Sequence, residues 1–542
     1  QSIVRQDFSI RHCNNSGLTR LFRIECGVPR SVPLIMHRCL ALPEIASQIC
    51  ENLRMFLSGF PDRLALSVLA RTSRAIFLEP ALDALWRQQS TLVNLLRCMP
   101  KDLCEISSVS MDPHECLLLV HFRRPIRESD WDRATYYARR VRVLDCSGND
   151  EILSQILPFL QDALGSRALF PRLRELVWLD HPESDLKYLP VFFGRDLVTL
   201  VLTCSAPNPN HVALLDTLAD RSPSLDSLSI FGTPLSTEAC AIIRRFRHIT
   251  CLNLAAASAA GLIHFSHLPN LEDFNMRDIP EDMAASENEI APLAQLTKFA
   301  AGMSSFSALR TALPLCADSP LQTYMVSIIT PSPGTELERF FSEFAHNRGK
   351  HATSLVTLQF IVPYQAYEEL PGSSAEFMFP ASALRCLHTL SGLAHVHISA
   401  LGFDIDGRDL LALGRALPNL ISLALASLLP ASTPPRLKLS ALPSLANQCQ
   451  HLKFLDLSFD TAEVVPSRPS RLSHIELNVG LSPLEDGDQY GVMEFFEFCL
   501  PGVRLRDPWA TRHDGPNPDL SEEVQRWRDV AAHLDRMYKN RE

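Results

Sequence analysis

The sequence predicts an α/β repeat protein: a short all-helical unit, then an irregular solenoid with one parallel strand face, closed by a C-terminal helix. Three observations predict it. An apolar-x-x-apolar-x-apolar template recurs thirteen times between residues 141 and 472. Three short amphipathic stretches fill residues 36–90. The chain, at 542 residues, is too long for one compact core, whereas a repeat array escapes that limit.

Composition excludes several classes. With 46% hydrophobic and 21% charged residues the chain can bury a core, and 21 glycines are too few for a collagen-like chain. The net charge is −10 and no run of five basic residues occurs, so nucleic acid is not the expected partner. The 15 cysteines are scattered with no Cys-x-x-Cys pair, and Cys98, Cys104 and Cys116 have no zinc-site spacing. They read as free thiols acting as small apolar residues, which fits a reducing compartment, cytoplasm or nucleus. Ala416–Pro435 and His248–Leu271 lack charge, but prolines in the first and histidines in the second leave neither suited to cross a membrane.

Residues 1–35 carry scattered arginines and no apolar run followed by small residues, so a signal peptide is not supported. Met36 is a plausible start, and 1–35 is expected to be a disordered tail or a gene-model extension. Pro43 suits the first position of a helix in which Ile45, Ile49 and Leu53 form one stripe. Gly59-Phe60-Pro61 ends it, and Asp62 can cap a second helix with Leu66 and Leu69 inward. Pro80 is expected to start a third, with Leu82, Leu85 and Trp86 on its buried side.

This segment resembles the F-box. The resemblance rests on Leu42-Pro43-Glu44-Ile45 with Ile49, then Leu66 and Leu69, then Arg71-Thr72-Ser73-Arg74 with Phe77, then Leu85-Trp86. More narrowly, it is similar to the F-box of mushroom-type (basidiomycete) fungal proteins, through Met36-His37-Arg38-Cys39-Leu40 and the stretch from Arg74 to Trp86. Thr72-Ser73 stands where Thr-Cys is usual in that group. Arg123-Arg124-Pro125, Ser129-Asp130-Trp131 and Tyr136–Val141 echo the same group. The resemblance implies an SCF-type adaptor whose F-box docks on the Skp-type subunit of a cullin-RING ubiquitin ligase. Transferred by position, Leu42, Pro43, Ile45 and Ile49 would face that subunit, with Leu66, Leu69 and Trp86 in the unit's own core.

Residues 91–140 read as a helical or irregular connector. The repeats run over 141–505, and the thirteen template starts lie about 28 residues apart, inside the range of leucine-rich repeats. Longer gaps between 321 and 393 imply insertions. In Phe454-Leu455-Asp456-Leu457-Ser458 leucines alternate with polar residues, as a half-buried strand requires. Asn210–Ala219 and Arg408–Leu417 are amphipathic helices between strands. The asparagine that usually follows such a strand occurs at Asn149 and is missing from most later units, so the array is degenerate. In the 506–542 tail, Asp519 and Glu522 form a capping-box pattern ahead of Trp527, Val530, Leu534 and Met537 on one helical face. That helix is placed to cover the open end of the last repeat.

Catalytic signatures are missing: no nucleotide-binding glycine pattern, no G-x-S-x-G and no H-E-x-x-H occurs. Asp404-x-Asp406-Gly407-x-Asp409 has its glycine too early for a calcium loop and reads as a turn. His395-x-His397 lacks a third metal ligand nearby and reads as a strand pair. The expectation is therefore a non-enzyme with no cofactor and no metal, whose repeats hold a protein substrate while the helical unit binds the ligase. The alternative is a leucine-rich scaffold unconnected to ubiquitin transfer. Positions alternating with the buried leucines should line the exposed strand face. Phe231, Asp273, Asn275, Arg277, Gln359, His395 and His397 are the candidate substrate contacts, with Val201, Ser227, Ser229, Ala424 and Asp456 beside them.

Overall fold

The structure, a computed structural model, describes residues 42–55, 63–72, 74–112, 115–147, 151–204, 210–279, 291–330, 332–363, 374–428, 435–462, 464, 469–470, 474–506 and 521–539. The expected tail 1–35, Met36, Asn149 and Asp519 lie outside them. The chain divides into two compact units after Leu85.

The first unit holds α1 (Pro43–Met55), α2 (Arg63–Thr72) and most of α3 (Arg74–Trp86). Its core is Ala46 and Cys50, Leu66 and Ala70, and Phe77, Ala81 and Ala84, with Ile49, Leu53, Leu69 and Leu85 packed half-buried against it. Small residues at the centre let three short helices approach closely. The expected stripe of Ile45, Ile49 and Leu53 is thus turned by one position, with Ala46 and Cys50 taking the centre. Pro80 does not start a helix; it lies inside α3. The proline removes one backbone hydrogen bond, but Phe77 before it and Ala81 and Ala84 after it share one buried face, which holds both halves in one helix.

The second unit opens with β1 (Gln88–Gln89), α4 (Val93–Leu96), β2 (Cys104–Asp112), β3 (Glu115–Phe122) and α5 (Trp131–Ala138). The expected connector 91–140 is therefore corrected: β2 and β3 are an antiparallel hairpin, and β1 already pairs in parallel with β4 (Val143–Ser147). Leu92, Leu96, Leu103, Val120 and Trp131 join the main core. At the foot of the hairpin Arg124 donates to both oxygens of buried Asp130 (2.6 and 2.9 Å) and to Asp102 (2.9 Å). The Arg127 N–H also donates to Asp130 (2.7 Å). The guanidinium hydrogen bonds hold the Asp130 carboxyl down at about 2. A depressed carboxyl stabilises the fold above its ordinary value near 4, and that contribution disappears as pH falls toward 2. Asp130→Asn is expected to lower the urea midpoint at pH 7, with the gap to wild type closing between about pH 4 and about pH 2. A gap independent of pH would remove Asp130 from this role.

The repeats follow as β5 (Glu175–Leu179), β6 (Thr199–Cys204), β7 (Ser227–Gly232), β8 (Cys251–Ala256), β9 (Asp273–Asp278), β10 (Lys298–Ser304) and β11 (Thr323–Ile328). Then come β12 (Thr357–Ile361), β13 (Phe379–Pro380), β14 (His395–Ala400), β15 (Phe403–Asp404), β16 (Ser422–Ser427), β17 (Phe454–Asp456), β18 (Ile475–Asn478) and β19 (Val503–Leu505). Fifteen of these strands, β1 and β4–β12 with β14 and β16–β19, form one sheet in chain order with every pair parallel. All thirteen template copies are strands of that sheet; β13 and β15 form a small parallel pair of their own.

Between strands run α6 (Glu151–Leu164), α7 (Asn210–Arg221), α8 (Thr237–Ile243), α9 (Ala259–Phe265), α10 (Phe306–Cys316) and α11 (Gly334–Asn347). They continue as α12 (Ala381–Cys386), α13 (Gly407–Ala416), α14 (Leu442–Gln448) and α15 (Gln489–Cys499), and α16 (Ser521–Lys539) ends the chain. Register makes the core a column: Leu200, Leu228, Leu252, Phe274 and Phe299 are successive partners, each 1% exposed or less. Ser236, Ser258 and Ser305 start α8, α9 and α10 by accepting a hydrogen bond from the backbone N–H three residues on.

Buried Arg348, which follows α11, caps the carbonyl end of α10 in the repeat before it. It donates to the carbonyls of Cys316 (2.7 Å) and Ser319 (2.8 Å). A cation there also suits the negative end of the helix. Arg348→Met fills much of the site but removes the donor to the buried Ser319 carbonyl, while the Cys316 carbonyl keeps the Ser319 hydroxyl (2.7 Å), so a loss of about 1–3 kcal/mol is expected. Urea unfolding followed by tryptophan fluorescence tests it; a midpoint equal to wild type would show the Ser319 carbonyl finds another partner.

α16 packs against α15 and β19, burying Trp527, Val530 and Leu534. The Trp527 indole N–H donates to the Ser482 carbonyl (2.9 Å) and Arg526 donates to the Leu484 carbonyl (2.6 Å). Among the described residues no helix is long and apolar enough to cross a membrane.

Candidate functional site

Two surfaces carry the sequence candidates. In the helical unit Leu42 is 51% exposed and Pro43 is exposed, whereas Ile45 and Ile49 are half-buried, Ile49 against the unit's own core. The four expected contacts therefore split. Leu42 and Pro43 are available to another molecule, while Ile49 also holds the fold. Sequence reading missed two more exposed apolar side chains, Leu64 and Val68, at 67% and 54%. They are four residues apart on α2 and so share a face distinct from buried Leu66 and Ala70. That i, i+4 pair outside the core stripe was the available signal.

On the sheet, most residues alternating with the buried column are half-buried or exposed, Ser229, Ala300 and Ala424 being buried, and register puts them in rows. One row runs Ser227, Cys251, Asp273, Lys298, Thr323, Thr357 and His395. The next runs Ser229, Asn253, Asn275, Ala300, Met325, Gln359, His397 and Ala424. Asn275 and Gln359 thus share a row with His397, as does Asn253, which the sequence reading did not choose. Asp273 is committed to an ion pair with Lys298 on β10 (2.8 Å). Ser229 and Ala424 are buried by their neighbours rather than presented.

The two histidines differ: His395 is exposed, whereas burial pushes the His397 imidazole below its usual value, which favours the neutral ring. Phe231 (39% exposed) and exposed Arg277 lie toward the carboxyl ends of β7 and β9. Gly232 fixes the backbone after Phe231: its φ is +104°, and a Cβ there would stand 1.9 Å from the Cys204 carbonyl oxygen. Strands are spaced at about 4.8 Å, so Phe231 and His397, six strands apart, are separated by roughly 29 Å. The aromatic, the arginine and the two histidines among the candidates are thus spread along the sheet.

Among the described residues no group of His, Cys, Asp and Glu is placed to hold a metal ion. Asp406 instead caps α13, accepting from the Arg408 and Asp409 N–H groups (2.8 and 3.0 Å) while Asp409 accepts from the Asp406 N–H (3.2 Å). Buried Cys204, Cys240 and Cys316 are free thiols that burial pushes up to about 12, which disfavours the nucleophilic thiolate. A cavity of about 220 Å³ lies at the carboxyl ends of β16 and β17, lined by Phe403, Ile405, Leu425, Ser427, Leu437 and Leu457. The Asp404–Arg436 ion pair (2.8 Å) is also part of its lining.

The parallel sheet with strand–turn–helix units makes the second unit a leucine-rich-repeat solenoid. No family model matches the sequence, and no curated protein matches it either. Solved structures similar to this chain include the crystal structure of the TLR13–ssRNA13 complex, at 14% identity and a TM-score of 0.33. That likeness covers 68% of this chain and 44% of the other, so the chain spans under half the length of that relative. The crystal structure of the Rad7 and Elc1 complex in yeast is similar at 14% identity and a TM-score of 0.31, covering 71% of this chain and 88% of the other.

Proposed function

We propose that this chain is the substrate-recognition subunit of an SCF-type cullin-RING ubiquitin ligase, working in the cytoplasm or nucleus. Its helical unit is an F-box of the mushroom-type fungal kind that binds the Skp-type adaptor, and its solenoid holds a protein substrate. The observation that carries this reading is the run from Leu42 to Trp86. The described motif residues of the F-box resemblance lie on three helices in order, save Leu42 just before the first, and Leu42 and Pro43 stand outside the core that Leu66 and Phe77 help to build. The protein makes and breaks no bonds in this reading. It raises the effective concentration of substrate at the ligase, which is the whole of its contribution to rate.

The rival reading is a leucine-rich scaffold with no link to ubiquitin, favoured by the sheet being a sufficient binding surface by itself. Affinity purification of the full chain and of a chain lacking residues 42–85, followed by mass spectrometry, separates them. The ligase reading expects the Skp-type adaptor and a cullin with the full chain only. Equal adaptor recovery from both, or none from either, favours the scaffold.

A further inference from the structure

We propose that the sheet row from Ser229 to Ala424 binds an extended, uncharged polypeptide segment of about ten residues, reading its main-chain amides with Asn275, Gln359 and His397. The inference rests on the solenoid being the substrate-binding part and names what kind of substrate it takes. Eight successive strands contribute to this stretch, and none of its eight residues is Asp, Glu, Lys or Arg; the next residue in register, Asp456, bounds it, its carboxylate accepting from the Asn478 amide (2.9 Å). The flanking charges cancel locally, since Asp273 is paired with Lys298 at 2.8 Å. A charged ligand would lose hydration here without meeting an opposite charge.

What the row does offer is amide chemistry. The Asn275 and Gln359 side chains are half-buried, and neither has a hydrogen-bond partner among the described residues. Each can donate twice and accept through its carbonyl oxygen, which matches the N–H and C=O of a peptide backbone. His397, directly beside Gln359 in register, is half-buried, and a neutral ring both donates and accepts. Asn253, by contrast, is already spent on Ser229 (2.9 Å). Ala300 and Met325 supply an apolar floor between Asn275 and Gln359, and Ala424 continues it beyond His397. Seven steps of about 4.8 Å make the row roughly 34 Å long, the reach of about ten extended residues.

The test is selection of a random dodecapeptide display library on the purified full chain, followed by fluorescence anisotropy with an enriched peptide. Enriched sequences should have net charge near zero, and affinity should change less than about two-fold between about 50 and about 500 mM NaCl. Asn275→Ala with Gln359→Ala should weaken binding about ten-fold or more without lowering the melting temperature. Gln359→Glu should weaken it as well, because it puts a charge in the neutral row. Strongly acidic or basic winners, a steep salt dependence, binding indifferent to these substitutions, or no enrichment would each overturn the proposal. The selection needs no adaptor, so a failure of the ubiquitin reading and a failure of this one are told apart.

Discussion

Leu42→Ala combined with Pro43→Ala is expected to abolish recovery of the Skp-type adaptor while leaving the helical circular dichroism unchanged. Both side chains are exposed, so their removal opens no cavity. Apolar side chains that become fully buried at an interface centre cost about 2 kcal/mol or more when truncated, about thirty-fold in affinity. The half-buried Ile49 gives the contrast. Ile49→Ala removes core contact as well, so it should lower both the thermal midpoint and adaptor recovery. Leu64→Ala with Val68→Ala extends the test to the face that sequence reading overlooked. Undiminished recovery with the Leu42 and Pro43 variant, at wild-type helicity, would remove those residues from the contact.

Trp527→Ala is expected to destabilise the C-terminal repeats by about 3–5 kcal/mol, the cost of emptying a large buried aromatic site. Trp527→Phe separates packing from hydrogen bonding. It keeps most of the ring and loses the N–H that donates to the Ser482 carbonyl, so a smaller loss of about 1–2 kcal/mol is expected. Deleting 521–542 should cost more than either, since Val530 and Leu534 lose their partners and β19 is uncovered. Hydrogen exchange along the chain is the informative measurement: the loss of protection should be largest in β18 and β19. Unchanged protection there would mean that α16 is an appendage and does not cover the array.

The array is legible in the amino-acid pattern alone. Inward leucines alternating with half-buried residues, as at Leu200 and Leu202 or Leu455, have a period of two that only strands satisfy, and thirteen copies made the solenoid legible without a structure. Three- and four-residue apolar spacing also located the helix at Arg408–Leu417 and the apolar face of the last helix, because it acts within a few residues, whereas the Asp406 cap lay in what read as a turn. Other features depend on partners distant in the chain. β1 and β19 have two and three residues, too few for any pattern, and become strands because β4 and β18 provide hydrogen-bond partners. The hairpin β2–β3 was hidden for a different reason: its strands are long and adjacent, but Cys116-Leu117-Leu118-Leu119-Val120 is an unbroken apolar run with no period of two. Pro80 stays inside a helix because burial on both sides of it outweighs one lost backbone bond. The open face follows this division. Alternation announced which residues leave the core, but register across the strands decided that Asn275, Gln359 and His397 share one neutral row while Asp273 is neutralised by Lys298.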